Sequence, residues 1–125
     1  MPDKDRCYPG RASIDAYGNG GFRFADLSHR GSLLMVPSGI YAWEISGINN
    51  LTKKSLERVL AERDDIDFLL LGTGRKQELP PESVREAFAK ADMGLEYMDT
   101  GAACRTYNVL LAEQRAVAAA LIAVK

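Results

Sequence analysis

The chain has 125 residues, the length of one domain, and its 16 Lys and Arg against 17 Asp and Glu leave a formal net charge of −1. With 46% hydrophobic residues it has the makings of an ordinary packed core, which excludes an acidic disordered chain. The charge balance excludes a globally basic nucleic-acid binder, and the longest apolar run, residues 116–124, is far shorter than the roughly 20 residues that span a bilayer.

The chain opens on Met1-Pro2-Asp3-Lys4-Asp5-Arg6, polar and of mixed charge. It has neither the apolar core of a secretory signal nor the acid-poor composition of a mitochondrial presequence. The expectation is a cytoplasmic, bacterial protein, or a mature form with its leader removed, of one domain, residues 1–125, whose first ten residues are flexible or loosely packed. Ser13 to Tyr17 alternates in type, Gly18-Asn19-Gly20-Gly21 supplies a turn, and Phe22-Arg23-Phe24 alternates again, which predicts a hairpin. Leu27 to Gly31, with the sole histidine His29, reads as a loop. Ser32 to Val36 and Ile40 to Ile45 read as strands separated by Pro37-Ser38-Gly39, with Tyr41, Trp43 and Ile45 sharing one face.

The second half changes to helical periods. Thr52 is placed to cap a helix whose apolar stripe is Leu56, Val59 and Leu60, with Leu51 and Leu56 at staple spacing. Phe68 to Leu71 is a continuous apolar run, the pattern of a strand buried on both faces. Pro80-Pro81 opens a second helix, with Leu79 and Val84 as its staple, Val84, Ala87, Phe88 and Ala91 as its core face and Gly94 as its stop. Leu95 to Met98 is the next strand, Thr100 caps a third helix with Tyr107, Leu110 and Leu111 inward, and Ala116 to Ala123 is a last buried strand. Strand, helix, strand, helix, strand from residue 66 onward predicts parallel pairing through right-handed crossovers, hence an α/β domain. The early hairpin and strands extend that sheet or cover one face of it.

In such a sheet, ligands bind beyond the carboxyl ends of the strands. Two loops leave these ends: Gly72-Thr73-Gly74-Arg75-Lys76-Gln77, and Asp99-Thr100 with Cys104 and Arg105. Glycine backbone, the donors of a helix start and three cations together make a candidate site for a small anion. A plain structural turn is the favoured alternative, because the run lacks the third glycine of a dinucleotide fingerprint and the lysine-serine/threonine ending of a P-loop. Cys104 at a helix start beside Arg105 has two features that lower a thiol pKa, yet no base is assigned to it, so packing is favoured over catalysis. Asn108 is a poor helix former in mid-helix, read as a clamp on a loop before a ligand contact. Trp43 and Lys76 are the candidate interaction surface, although such a tryptophan is more often core. Two distant cysteines and one histidine lead us to expect no disulfide, no metal and no cofactor.

Phe68 to Gly74, then Pro80, Gly94-Leu-Glu-Tyr-Met-Asp-Thr100, Ala103-Cys104-Arg-Thr106-Tyr107-Asn108 and Arg115 to Ile122 occur in an order that resembles one small domain family. It is the family that includes mitochondrial complex I assembly factor 3. Ile14 to Gly18, Gly31 to Pro37 and Trp43 match it more loosely. The resemblance implies a three-layer α/β domain with a central mixed sheet, and no catalytic residues. It implies a non-enzymatic assembly or interaction factor whose protein partners are peripheral-arm subunits of NADH:ubiquinone oxidoreductase or another assembly factor. Such a protein is held near the inner membrane only through its partners, and a homodimer is compatible with it. The alternative is a small-anion-binding protein or enzyme at residues 72–77 and 99–108.

Overall fold

The computed structural model describes residues 5–125. Arg6–Tyr8 pairs as a short edge strand (β1), which corrects the expected loose segment over those three residues; residues 1–4 lie outside the described residues. The hairpin is present: Ala16–Gly18 (β2) and Gly21–Phe24 (β3) pair antiparallel around Asn19-Gly20. Both turn residues have positive φ, +53° and +81°, the backbone of a tight primed turn. A second turn of that kind follows at Ala25-Asp26, with φ of +49° and +62°, and leads into Leu27–Arg30 (β4). The segment read as a loop is therefore a strand. Its turn carries no glycine, so the usual signal was missing.

Ser32–Val36 (β5) and Gly39–Trp43 (β6) form the next hairpin. Phe68–Gly72 (β7), Gly94–Met98 (β8) and Val117–Leu121 (β9) complete a six-stranded sheet in the order β1-β6-β5-β9-β7-β8. Parallel pairing holds where it was expected, β7 lying parallel to both β8 and β9. Antiparallel β5 against β9 joins the N-terminal strands on and makes the sheet mixed.

The helices differ in detail from their sequence signals. Thr52 does cap: its hydroxyl accepts from Ser55 N–H at 3.2 Å, while Ser55 Oγ accepts from Thr52 N–H at 3.1 Å. What it caps is a 3₁₀ turn, Lys54–Leu56, before a short helix, Glu57–Ala61 (α1). The second helix, Glu82–Lys90 (α2), follows Pro81, but Leu79 is 58% exposed and forms no staple. Asp92, at φ +55°, ends it in place of Gly94. Gly94 answers a different need: a Cβ there would lie 2.8 Å from Cβ of Phe68. The third helix, Thr100–Ala112 (α3), is capped by Asp99, whose carboxylate accepts from Ala102 N–H at 2.9 Å.

Strand alternation divides the core between the two sheet faces. Leu34, Tyr41, Trp43, Leu69 and Leu71 pack under Leu56 and Val59 on one side and Val84 and Phe88 on the other. On the opposite face Leu33, Met35, Ile40, Leu70 and Leu121 meet Ala103, Cys104 and Tyr107 of α3, together with Ile14 from the lead into β2 and Phe22 and Phe24 of the small three-stranded sheet. Each large aliphatic or aromatic side chain buried this way stabilises the fold by about 1.5–3 kcal/mol. The result is the three-layer mixed α/β architecture: α1 and α2, the central sheet, then α3 with β2-β3-β4.

Candidate functional site

Parallel pairing of β7 with β8 brings the segment after Gly72 and the start of α3 together at one sheet edge. There the chain closes on itself. The Thr100 hydroxyl accepts from Gly74 N–H at 2.9 Å and donates to the Ile122 carbonyl at 2.7 Å. Thr100 N–H returns to the Gly74 carbonyl at 2.8 Å. Thr73 N–H bonds the Met98 carbonyl at 2.8 Å, and the Thr73 hydroxyl donates to the Lys76 carbonyl at 2.5 Å while accepting Glu78 N–H at 3.1 Å. Gly72 allows the approach, since a Cβ there would lie 3.0 Å from Cα of Thr100. Thr100 is wholly buried and Thr73 is 2% exposed. These residues form a hydrogen-bonded knot, and the structural turn describes them better than a cradle with open donors.

The start of α3 is taken as well. The Asp99 carboxylate occupies the position an anion would seek. Above it lies Tyr17, whose hydroxyl would stand 2.3 Å from a Cβ placed on Gly101. Arg75 reaches the Lys125 carbonyl at 3.3 Å, and Lys76 and Arg105 are exposed.

Further along α3, Asn108 is the clamp. Its Oδ1 accepts Ile14 N–H and its Nδ2 donates to the Ile14 carbonyl, both at 2.8 Å. This amide pairing fastens the lead into β2 onto the helix. Cys104 is 3% exposed, and burial pushes its thiol up to about 12; Arg105 pulls the value down less strongly, and Asp99 pushes it up. The lowered pKa that a helix start suggests is thus reversed by desolvation. Thr106 donates to Sδ of Met98 at 3.6 Å. Cys104, Arg105 and Asn108 do share an open cleft of about 400 Å³ with Ile14 and Tyr17, but Gly72, Thr73, Gly74, Arg75 and Thr100 do not line it.

His29 stands beside the other thiol. Its Nδ1 is 3.7 Å from Sγ of Cys7 and its Nε2 is 3.2 Å from the Ser32 carbonyl. A carbonyl can only accept, so Nε2 donates to the Ser32 carbonyl, and the Cys7 thiol also lies 3.6 Å from the Asp5 carbonyl. Burial raises the Cys7 pKa, Ala42 N–H lowers it, and Asp5 raises it. Trp43 is 7% exposed, its indole N–H donating to the Ser55 carbonyl at 2.8 Å. That places it in the core and corrects its candidacy as an exposed patch; Lys76 is exposed.

The site residues that sequence reasoning missed are Tyr17 and Ile14, and Asp99, named in the second loop, was not read as the cap, which was given to Thr100. Asp99 was legible, because aspartate outranks threonine as an N-cap. Nothing near Tyr17 or Ile14 in the chain points to α3, more than 80 residues away. Among the described residues, no three His, Cys, Asp or Glu side chains converge, and no helix is long and apolar enough to cross a membrane.

Residues 14–122 match the family described as a protein of unknown function (DUF498/DUF598). The crystal structure of a protein described as an outer membrane protein from Bartonella henselae superimposes with a TM-score of 0.91 at 54% identity, covering 94% of this chain and 99% of that one. An uncharacterized protein of Rhodobacter capsulatus is 35% identical over 98% of this chain and 93% of its own length. NADH dehydrogenase [ubiquinone] 1 alpha subcomplex assembly factor 3 of Mus musculus is 29% identical over 92% of this chain. The chain spans 62% of the length of that mouse relative.

Proposed function

The chain belongs to the DUF498/DUF598 family, and from that premise we propose that it is a non-enzymatic assembly or interaction factor, acting on the respiratory complex I of its host. The observation that carries the reading is the closed crevice. Where an α/β sheet commonly binds its ligand, the Thr73 and Thr100 hydroxyls, the Gly74 N–H and the α3 N-terminus all bond within the chain itself. A fold that uses these groups on its own backbone is suited to presenting surfaces. The mouse relative's name supplies the direction, that of building NADH dehydrogenase. The partners are protein subunits of the peripheral arm or a second assembly factor, and any association with the inner membrane runs through them.

The test is a tagged pull-down from the native host, with membranes gently solubilised and partners identified by mass spectrometry. Enrichment of complex I peripheral-arm subunits over a fold-matched control is the expected result. Absence of enrichment in cells actively building complex I would overturn the reading.

A further inference from the structure

The helical layer over Leu69 and Leu71 is incomplete. A six-stranded sheet is about 24 Å wide, and α1 and α2, each about 10 Å across, leave between them a groove of about 770 Å³. The groove floor is apolar. Leu60 and Ala91 are half-buried there, Ala87 is 8% exposed and Ala61 is open to solvent. The rim is cationic, formed by Lys53, Lys54, Arg63 and Lys90, with Glu57 as the one acid lining it among the described residues. Four of the chain's 16 basic residues therefore border one groove of a molecule whose net charge is −1. Arg63 donates to the Leu60 carbonyl at 3.1 Å. The ammonium groups of Lys53, Lys54 and Lys90 are exposed and have no hydrogen bond or ion pair among the described residues.

An apolar trough between two helices, edged by four cations of which the three lysines are unpaired among the described residues, is complementary to a third helix with one apolar face and acidic flanks. Nucleic acid would meet the lysines and leave the floor wet. An anionic bilayer would meet the protruding lysines and miss an apolar surface recessed between helices. We infer that the groove between α1 and α2 docks an acidic amphipathic helix of a protein partner. The inference rests on the reading of the chain as an interaction factor and names the surface that serves it.

The experiment has two arms, both on the full chain. In the first, the wild type and a Lys53→Glu/Lys54→Glu/Lys90→Glu variant are titrated with a synthetic amphipathic peptide carrying Leu on one face and Glu on the other. A peptide with Lys in place of Glu, and phosphatidylglycerol–phosphatidylcholine vesicles, are run beside it. The Leu/Glu peptide is expected to shift the amide resonances of residues 53–63 and 87–91 and to bind the variant roughly tenfold more weakly. The substituted lysines are exposed, so an unchanged melting temperature is expected to show that the variant is folded. The assignment is overturned by no binding, by shifts elsewhere, by equal binding of the Lys peptide, by undiminished affinity of the variant, or by preference for vesicles.

The second arm repeats the pull-down with the variant. Loss of the complex I subunits that the wild type captures supports the groove; their retention overturns it and leaves the interaction-factor reading standing. A wild type that captures none overturns that reading, and the peptide arm then decides the groove alone.

Discussion

Asn108 and Ile14 are 94 residues apart, yet they share two 2.8 Å hydrogen bonds. Replacing Asn108 with Ala leaves an amide N–H and a carbonyl without their partner and is expected to cost about 1–3 kcal/mol, read from the urea midpoint. Buried ionisable groups set a second expectation. The Cys104 thiol rises from 9.0 to about 12 and the Tyr107 phenol from 10.0 to about 12, both through burial. Each group holds its proton in the folded state over a range where the unfolded chain releases it. The unfolded state therefore binds fewer protons there, and stability falls as pH rises. The decline is expected to begin near pH 9 and run to about pH 12, with up to about 1.4 kcal/mol lost per pH unit for each group that titrates. Denaturant titrations across this range check it; Cys104→Ala should shrink the portion that begins near pH 9, leaving there only the share of Cys7, whose thiol burial also raises. The mid-helix asparagine was readable as a clamp because its type is wrong for a helix interior; the residue it holds was not. The helix-start cysteine misled in its pKa, because local dipole and charge favour thiolate while desolvation, a property of the packed layer, opposes it.

At the scale of elements, the end of β7 and the start of α3 behave as one unit joined by Thr100. Thr100→Val keeps the shape and removes the hydroxyl, leaving Gly74 N–H and the Ile122 carbonyl buried without it. A loss of about 2–4 kcal/mol is expected in urea unfolding, with Thr100→Ser losing about 1 kcal/mol. The β3–β4 turn offers a gain. Ala25 sits at φ +49°, where a side chain is strained, so Ala25→Gly is expected to stabilise by about 0.5–1 kcal/mol, seen as a higher melting temperature. That turn also explains why β4 was read as a loop: glycine advertises a primed turn, and alanine-aspartate does not. The short α1 was over-read for the complementary reason. Its cap and apolar stripe are local and present, whereas the break between the 3₁₀ turn and α1 answers to packing on the sheet.

At the scale of the whole molecule, the two cores share strands β5, β6, β7 and β9, so neither layer can open without exposing the other face of the same sheet. Trp43 reports one layer and Cys104 the other. Tryptophan fluorescence and pulsed alkylation of Cys104 are expected to give the same denaturant midpoint, as two-state unfolding requires; separated midpoints would mean that the layers unfold independently. Legible along the chain were the fold class, the parallel pairing among β7, β8 and β9 and the presence of a helix in each crossover between them. Periodicity, caps and turn residues act over a few positions, and right-handed crossovers leave little freedom beyond them. Tertiary structure alone decided that Trp43 is core, that Thr100 fastens a loop, that Cys7 and not Cys104 faces His29, and that four cations border one groove. Each of these depends on which distant backbone and side chains arrive in space, and on the desolvation and pairing that follow, which no local pattern along the chain encodes.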